Sequence, residues 1–192
     1  TAPTLSEKEL TSISTVAVAG GVDTTRNAIA FGLHALATRP DLLARLHASK
    51  EQDKEITRFN EETLRFYSPV PQLPRVTTAD SEFRGKLIPK GAHVLLCWAS
   101  GNRDPQRFKN PDVFDMDRAA LNQHLALGSG VHYCIGAMLA RNEMKCATKE
   151  IVNKVDSLEL TVAPEQLDLS NTNVILRGLK HLPVRLRAAQ AA

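Results

Sequence analysis

The chain has 192 residues, 43% of them hydrophobic and 23% charged, the balance of a globular protein with a substantial core. A net charge of +3, with no basic run interleaved with aromatics, argues against a nucleic-acid partner. The uncharged stretch Leu10 to Val22 is too short for a membrane span, and no signal peptide is visible. Three scattered cysteines suggest no disulfide framework, so the expected location is the reducing cytoplasm, with no membrane partner.

Ser6 and Glu9 have the spacing of a capping box and open the first helix. Apolar or small residues recur at Leu10, Ile13, Val16, Ala17, Gly20, Thr24, Ala28, Phe31 and Ala35, close to a helical period. Nothing stops this helix before Arg39-Pro40, so it is unusually long for a globular domain. Pro40 starts a shorter helix carrying Leu42, Leu43 and Leu46. A third covers about Asp53 to Tyr67, with Ile56, Phe59, Thr63 and Leu64 on one side, until Pro69 and Pro71 end it. Short strands are predicted at Arg75 to Thr78, Phe83 to Ile88 and His93 to Ser100, broken by Arg84-Gly85 and Pro89-Lys90-Gly91. Asp104 to Asn122 has no period, but Phe108, Val113 and Phe114 need burial, so it reads as an ordered meander. A glycine-rich turn leads to Cys134 and a helix from about Gly136 to Val155. The tail alternates at Leu158, Leu160 and Val162, at Val174 and Leu176, and at Leu182, Val184 and Leu186, as strands of a small mixed sheet. The fold class is therefore mainly α with small β-sheets.

Three segments carry chemistry. In Leu127-Gly-Ser-Gly-Val-His-Tyr-Cys-Ile-Gly136, glycines permit tight turns and the close approach of a flat macrocycle. A cysteine just before a helix lies in the favourable field of the helix N-terminus, which favours a thiolate. Alone, a cysteine beside two glycines reads more readily as inert and buried. In Glu62-Thr-Leu-Arg65, acid and base sit three apart on a helix, usually a weak surface pair. In Gly20-Gly-Val-Asp-Thr-Thr25, two glycines and two threonines interrupt a helix, through close packing or through a groove opened by a back-bonding threonine.

Together these segments resemble the signatures of the cytochrome P-450 family. The cysteine loop is similar to F-G-x-G-x-H-x-C-x-G at every fixed position except the first, where Leu127 stands. Glu62 to Arg65, followed by Ser68-Pro69-Val70, resembles the family's E-x-x-R signature, and Gly20 to Thr25 resembles [AG]-G-x-[DE]-T-[TS]. Gly101-Asn-Arg-Asp-Pro105 is close to A-N-R-D-P, and Arg177 to Val184 adds a further correspondence. The resemblance spans essentially the whole chain and is nearest to soluble bacterial members.

The resemblance implies a haem-thiolate monooxygenase with haem b (iron protoporphyrin IX). Cys134 is then the iron ligand, with Leu127, Gly128 and Gly136 beside it and Gly20 and Gly21 leaving room on the other haem face. His132 and Arg75 are the implied propionate partners. Thr24 would hydrogen-bond the oxygen being activated, and Asp23 would relay protons for O–O cleavage. Glu62, Arg65 and Arg118 would form a buried structural network. Electrons would come from a ferredoxin-type donor, with Arg141 and Lys145 as candidate contacts, a solvated helix face being the equal alternative. The substrate would be a small organic molecule, with Val70, Gln72, Leu73, Val174 and Ile175 as candidate pocket residues.

A complete family member is roughly double this length, so residues 1–192 read as the C-terminal haem-binding portion of one domain. The long helix should then expose a broad apolar face. Three explanations stand open: a piece of a longer protein, a chain that pairs with another copy or a second chain, or a natural short relative. Two other activities also stand open, a non-catalytic haem-binding or assembly module and a peroxide-driven haem enzyme.

Overall fold

The computed structural model describes residues 4–170 and 175–189. Helix α1 (Glu7–Thr38) opens on the predicted capping box: Ser6 Oγ accepts from Glu9 N at 3.3 Å, and Glu9 Oε2 accepts from Ser6 N at 2.8 Å. It stops at Arg39, whose φ of −139° and ψ of 80° lie outside the helical region disfavoured before proline, and Pro40 begins α2 (Pro40–Ala48). Helix α3 (Gln52–Tyr67) ends on Ser68, which takes a left-handed conformation with φ 47°. Two bonds hold that conformation: Ser68 Oγ donates to Arg65 O and accepts from Asn102 Nδ2.

The middle of the chain is antiparallel and departs in detail from expectation. Strand β1 (Leu73–Val76) pairs with β4 (His93–Leu96), and β2 (Ser81–Phe83) with β3 (Lys86–Ile88). The predicted strand at 83–88 is in fact a hairpin tip, because Arg84 and Gly85 both adopt positive φ, 51° and 75°, the geometry of a type I′ turn. The strand predicted at 93–100 stops at Leu96, and Trp98–Gly101 forms a single helical turn, α4. After the meander and the cysteine loop comes α5 (Ala137–Lys154), continuous with β5 (Val155–Leu160). The tail is two separate antiparallel pairs rather than one mixed sheet: β5 with β8 (Val184–Ala188), and β6 (Leu169–Ser170) with β7 (Gly178–Leu179). Leu176 lies outside a strand, and Val174 lies outside the described residues.

One core joins Phe31, Ala35 and Leu36 of α1 to Leu42, Leu43 and Leu46 of α2, Ile56, Phe59 and Tyr67 of α3, Met116, and Val152, Val155 and Leu158. Burying each large member removes about 1.5–3 kcal/mol of unfavourable hydration. A second cluster, Ala28, Leu64, Ala126 and Met144, lies where α1, α3 and α5 meet the chain entering the cysteine loop. Only the second half of α1 takes part. Leu10, Ile13, Val16, Val18 and Val22 are exposed, so the first half presents an uncovered apolar surface. No helix among the described residues is long and apolar enough to cross a membrane.

Candidate functional site

The cysteine loop is closed by its own backbone. Cys134 N donates to Leu127 O at 2.9 Å, Tyr133 N to Gly130 O at 3.0 Å, and Ala137 N to Cys134 O at 3.2 Å. Gly128 and Gly130 sit at φ 73° and 71°, where a side chain would be strained. A Cβ on Gly128 would also lie 3.4 Å from His132 O and 3.7 Å from the Trp98 ring, so the α4 turn backs the loop. Cys134 is exposed at the start of α5, and a Cβ on Gly136 would lie 3.9 Å from its sulfur. Around it Val131, Ile135, Met138 and Leu139 are exposed as well. Water is a poor neighbour for so many apolar groups, and a thiol among them suits a flat apolar ligand with a metal centre.

Behind the loop lies the predicted ion-pair network, and it is buried. Arg65 Nε and Nη2 each donate at 2.7 Å to the Glu62 carboxylate, and both side chains are 0% exposed. Arg65 also donates to the carbonyls of Asn102, Pro111 and Val113. Arg118 Nε lies 3.5 Å from Glu62 Oε1, and its guanidinium reaches the carbonyls of Lys109, Asn110 and Val113. The meander is thereby wrapped on two arginines.

A second buried carboxylate was not foreseen. Glu61 accepts from Arg141 Nε at 2.7 Å and Nη2 at 3.1 Å, and from His124 Nε2 at 3.1 Å. The doubled acid Glu61-Glu62 on one helix was the available signal, since two adjacent carboxylates need separate partners if both are buried. Arg141 was a candidate donor-protein contact but is bound internally, and Lys145 pairs with Asp53 at 2.9 Å. Burial pushes the Glu61 carboxyl up, yet the bonds from His124 and Arg141 outweigh it and lower it from 4.5 to about 2. A lowered folded-state value stabilises the protein above the unfolded value and is lost as pH falls through the folded one. Acid unfolding followed by circular dichroism should therefore show a stability loss between pH 4.5 and about 2. Glu61→Gln should flatten that limb, and an unaltered limb in the variant would count against this assignment.

On α1, Gly20 and Gly21 leave open space, with nothing within 4 Å of an added Cβ. Thr24 Oγ1 donates back to Gly20 O at 2.6 Å, the back-bond expected of a groove-forming threonine. Asp23 lies 3.4 Å from Arg26, both largely solvated. Arg75 on β1 donates to Pro74 O at 2.9 Å, and His132 is exposed in the short 3-10 turn Gly130–His132 before Cys134. Among the described residues no hydrogen bond or ion pair ties Asp23, Thr24, Arg75 or His132 to Cys134. Ile29 of α1 and half-buried Leu127 of the loop both pack against the second cluster.

The sequence model of the family described as Cytochrome P450 matches residues 1–177. This chain belongs to the cytochrome P-450 family. The polyketide biosynthesis cytochrome P450 PksS of Bacillus subtilis is 38% identical over 183 residues, covering 95% of this chain and 44% of that protein. Cytochrome P450 monooxygenase PikC of Streptomyces venezuelae is 37% identical over 192 residues, covering 98% and 44%. The solved structure of the tirandamycin C-bound P450 monooxygenase TamI superposes with a TM-score of 0.88 at 36% identity, covering 95% of this chain and 45% of that one. The chain thus spans a little under half the length of these relatives and has the P-450 fold over that part.

The family's cofactor is haem, and the residues present fit it. Cys134 offers a single sulfur at a helix start, ringed by exposed apolar side chains, and Gly20 and Gly21 leave open space on α1. Among the described residues no three His, Cys, Asp or Glu side chains gather as a metal cage. A lone thiolate suits an iron already held by a macrocycle.

Proposed function

We propose that the chain is the haem-binding portion of a monooxygenase that puts one atom of O₂ into a small organic substrate. The observation that carries this reading is the Cys134 loop: an exposed thiol at the start of α5, closed on Leu127 and surrounded by apolar groups. When bound there, haem b would supply the oxygen-activating redox chemistry, favoured by electron donation from a thiolate. Cys134 holds the iron. His132 and Arg75 offer cations for the propionates, and Gly128 and Gly136 keep side chains away from the sulfur's surroundings. Gly20 and Gly21 leave space beside α1, and the Thr24 hydroxyl holds a proton there that Asp23 replenishes from solvent. One oxygen atom enters a C–H bond and the other leaves as water, which consumes two electrons and two protons. A ferredoxin-type protein supplies the electrons. Val70, Gln72, Leu73 and Ile175 are the pocket residues proposed for the substrate.

A second reading, a haem-binding module without turnover, is favoured by the uncovered first half of α1. A reduced, CO-saturated difference spectrum, followed by an assay for oxygenated product with reductant and O₂, separates the two. A strongly red-shifted Soret band with product supports the monooxygenase. The same band without product supports the module, and a histidine-type band would sink the Cys134 assignment.

Leu127 bears on the same spectrum. Its carbonyl accepts from Cys134 N, and its side chain flanks the cluster under the loop. Leu127→Phe should retain haem and shift the reduction potential, since packing and solvent access beside the sulfur change. Redox potentiometry checks this, and an unchanged potential would count against it.

A further inference from the structure

The cysteine loop is tied to the buried Glu61 carboxylate at both ends. At the entry, His124 donates from Nε2 to Glu61 Oε2, and its Nδ1 accepts from Ala126 N at 3.2 Å. That acceptance needs the Nδ1 lone pair, so the ring proton sits on Nε2, facing Glu61. Ala126 adjoins Leu127, whose carbonyl closes on Cys134. At the exit, Arg141 forks onto both oxygens of Glu61 and donates from Nη1 to Tyr133 Oη at 2.9 Å, and Tyr133 adjoins Cys134. We propose that Glu61, with Arg141 and His124, is a positioning clamp that sets the geometry of the Cys134 thiolate. Arg141 thus acts inside the protein and not as a docking residue for an electron donor.

This inference rests on Cys134 as the haem ligand. Burial gives the clamp its strength: the side chains of Glu61, His124 and Arg141 are 8%, 1% and 25% exposed. A carboxylate so removed from water holds its donors firmly and leaves them unpaired if it is lost. The guanidinium is planar, so its two bonds to Glu61 fix the direction of the third, toward Tyr133. Lysine has no such fork. Adjacent Glu62 is committed to Arg65 and the meander, so the two neighbouring acids of α3 serve different segments. Groups that orient a metal ligand typically matter by about 10- to 100-fold in metal affinity or activity.

The test uses the haem-loaded protein with no redox partner present, and follows the decay of the thiolate band of its reduced CO complex. Arg141→Lys, which keeps the charge and loses the fork, should speed that decay about tenfold. Tyr133→Phe should act in the same direction to a lesser degree, and Glu61→Gln should match or exceed the lysine variant. Should Glu61→Gln fail to fold, the other two variants decide. Parent-like decay in both, with slowed electron transfer once a ferredoxin is added, would make Arg141 a partner contact and overturn the clamp. Parent-like decay with only a lowered Tm would leave a structural brace and overturn it too. A parent with no thiolate band would overturn both the clamp and the Cys134 reading, whereas a parent with the band and unaltered variants overturns the clamp alone.

Discussion

Arg65→Ala is expected to lower the stability of the protein by about 3–5 kcal/mol, the usual cost of removing one partner of a buried ion pair. That is a large part of the 5–15 kcal/mol or so that holds a typical domain folded. The loss has two sources. Glu62 stays at 0% exposure with Asp115 N donating at 2.8 Å and Arg118 Nε 3.5 Å away without a hydrogen bond, too little to replace a bidentate guanidinium. The carbonyls of Asn102 and Pro111 also lose the donor that Arg65 gave them, and Asn102 connects the meander to α3 and to the loop entry through Ser68 and Leu125. For that reason a double apolar replacement of Glu62 and Arg65 should not restore stability, although apolar replacement of simpler buried pairs often does. Urea unfolding monitored by circular dichroism measures the difference. Lys54→Ala is the control, because its 2.9 Å pair with Glu51 is solvated on both sides and should contribute less than about 0.5 kcal/mol. A loss below about 1 kcal/mol for Arg65→Ala would contradict the bracing role.

Legibility in the sequence followed the range of the interaction. Ser6 with Glu9, the stop at Arg39-Pro40 and the end of α3 were readable because each is set by residues within a few positions. Resemblance extended this to Arg118, which lies against Glu62 as expected. Elements set by backbone sign or by distant partners were not readable. Arg84 gives no warning of a positive φ, since arginine rarely takes one, so the β2–β3 hairpin looked like an interrupted strand. Trp98 opens a helical turn with its ring against Gly128, thirty residues on, although strand propensity alone would have continued β4. The Glu61 clamp joins residues 63 and 80 positions apart, and no local pattern marks such a pairing. Arg141 read as a donor-protein contact or, equally, a solvated helix residue, because only tertiary packing reveals which side of α5 meets α3.

Cys134→Ala is expected to abolish the red-shifted Soret band of the reduced CO complex completely and to weaken haem binding. The weakening should be at least as large as for the loss of an orienting group, about 10- to 100-fold. Exposure does not single this residue out, because Cys97, Cys134 and Cys146 are all free and exposed. Their surroundings do. Cys97 follows strand β4 with its sulfur 3.8 Å from Gln72 Oε1 and from Leu95 O, and Cys146 lies within α5, past its first turns. Among the three, Cys134 stands at the start of the long helix α5, in a loop closed by Leu127 O, with Val131, Ile135, Met138 and Leu139 exposed around it, whereas the helix after Cys97 is the single turn α4. Cys97→Ala and Cys146→Ala should therefore keep the parent spectrum. Thiol labelling gives an independent reading that needs no reductant or CO. Without haem all three cysteines should react, and with haem only Cys134 should become slow, since a metal-bound sulfur cannot act as a free nucleophile. Equal labelling of Cys134 with and without haem, or a thiolate spectrum that survives its replacement, would remove the ligand from the site on which the functional reading stands.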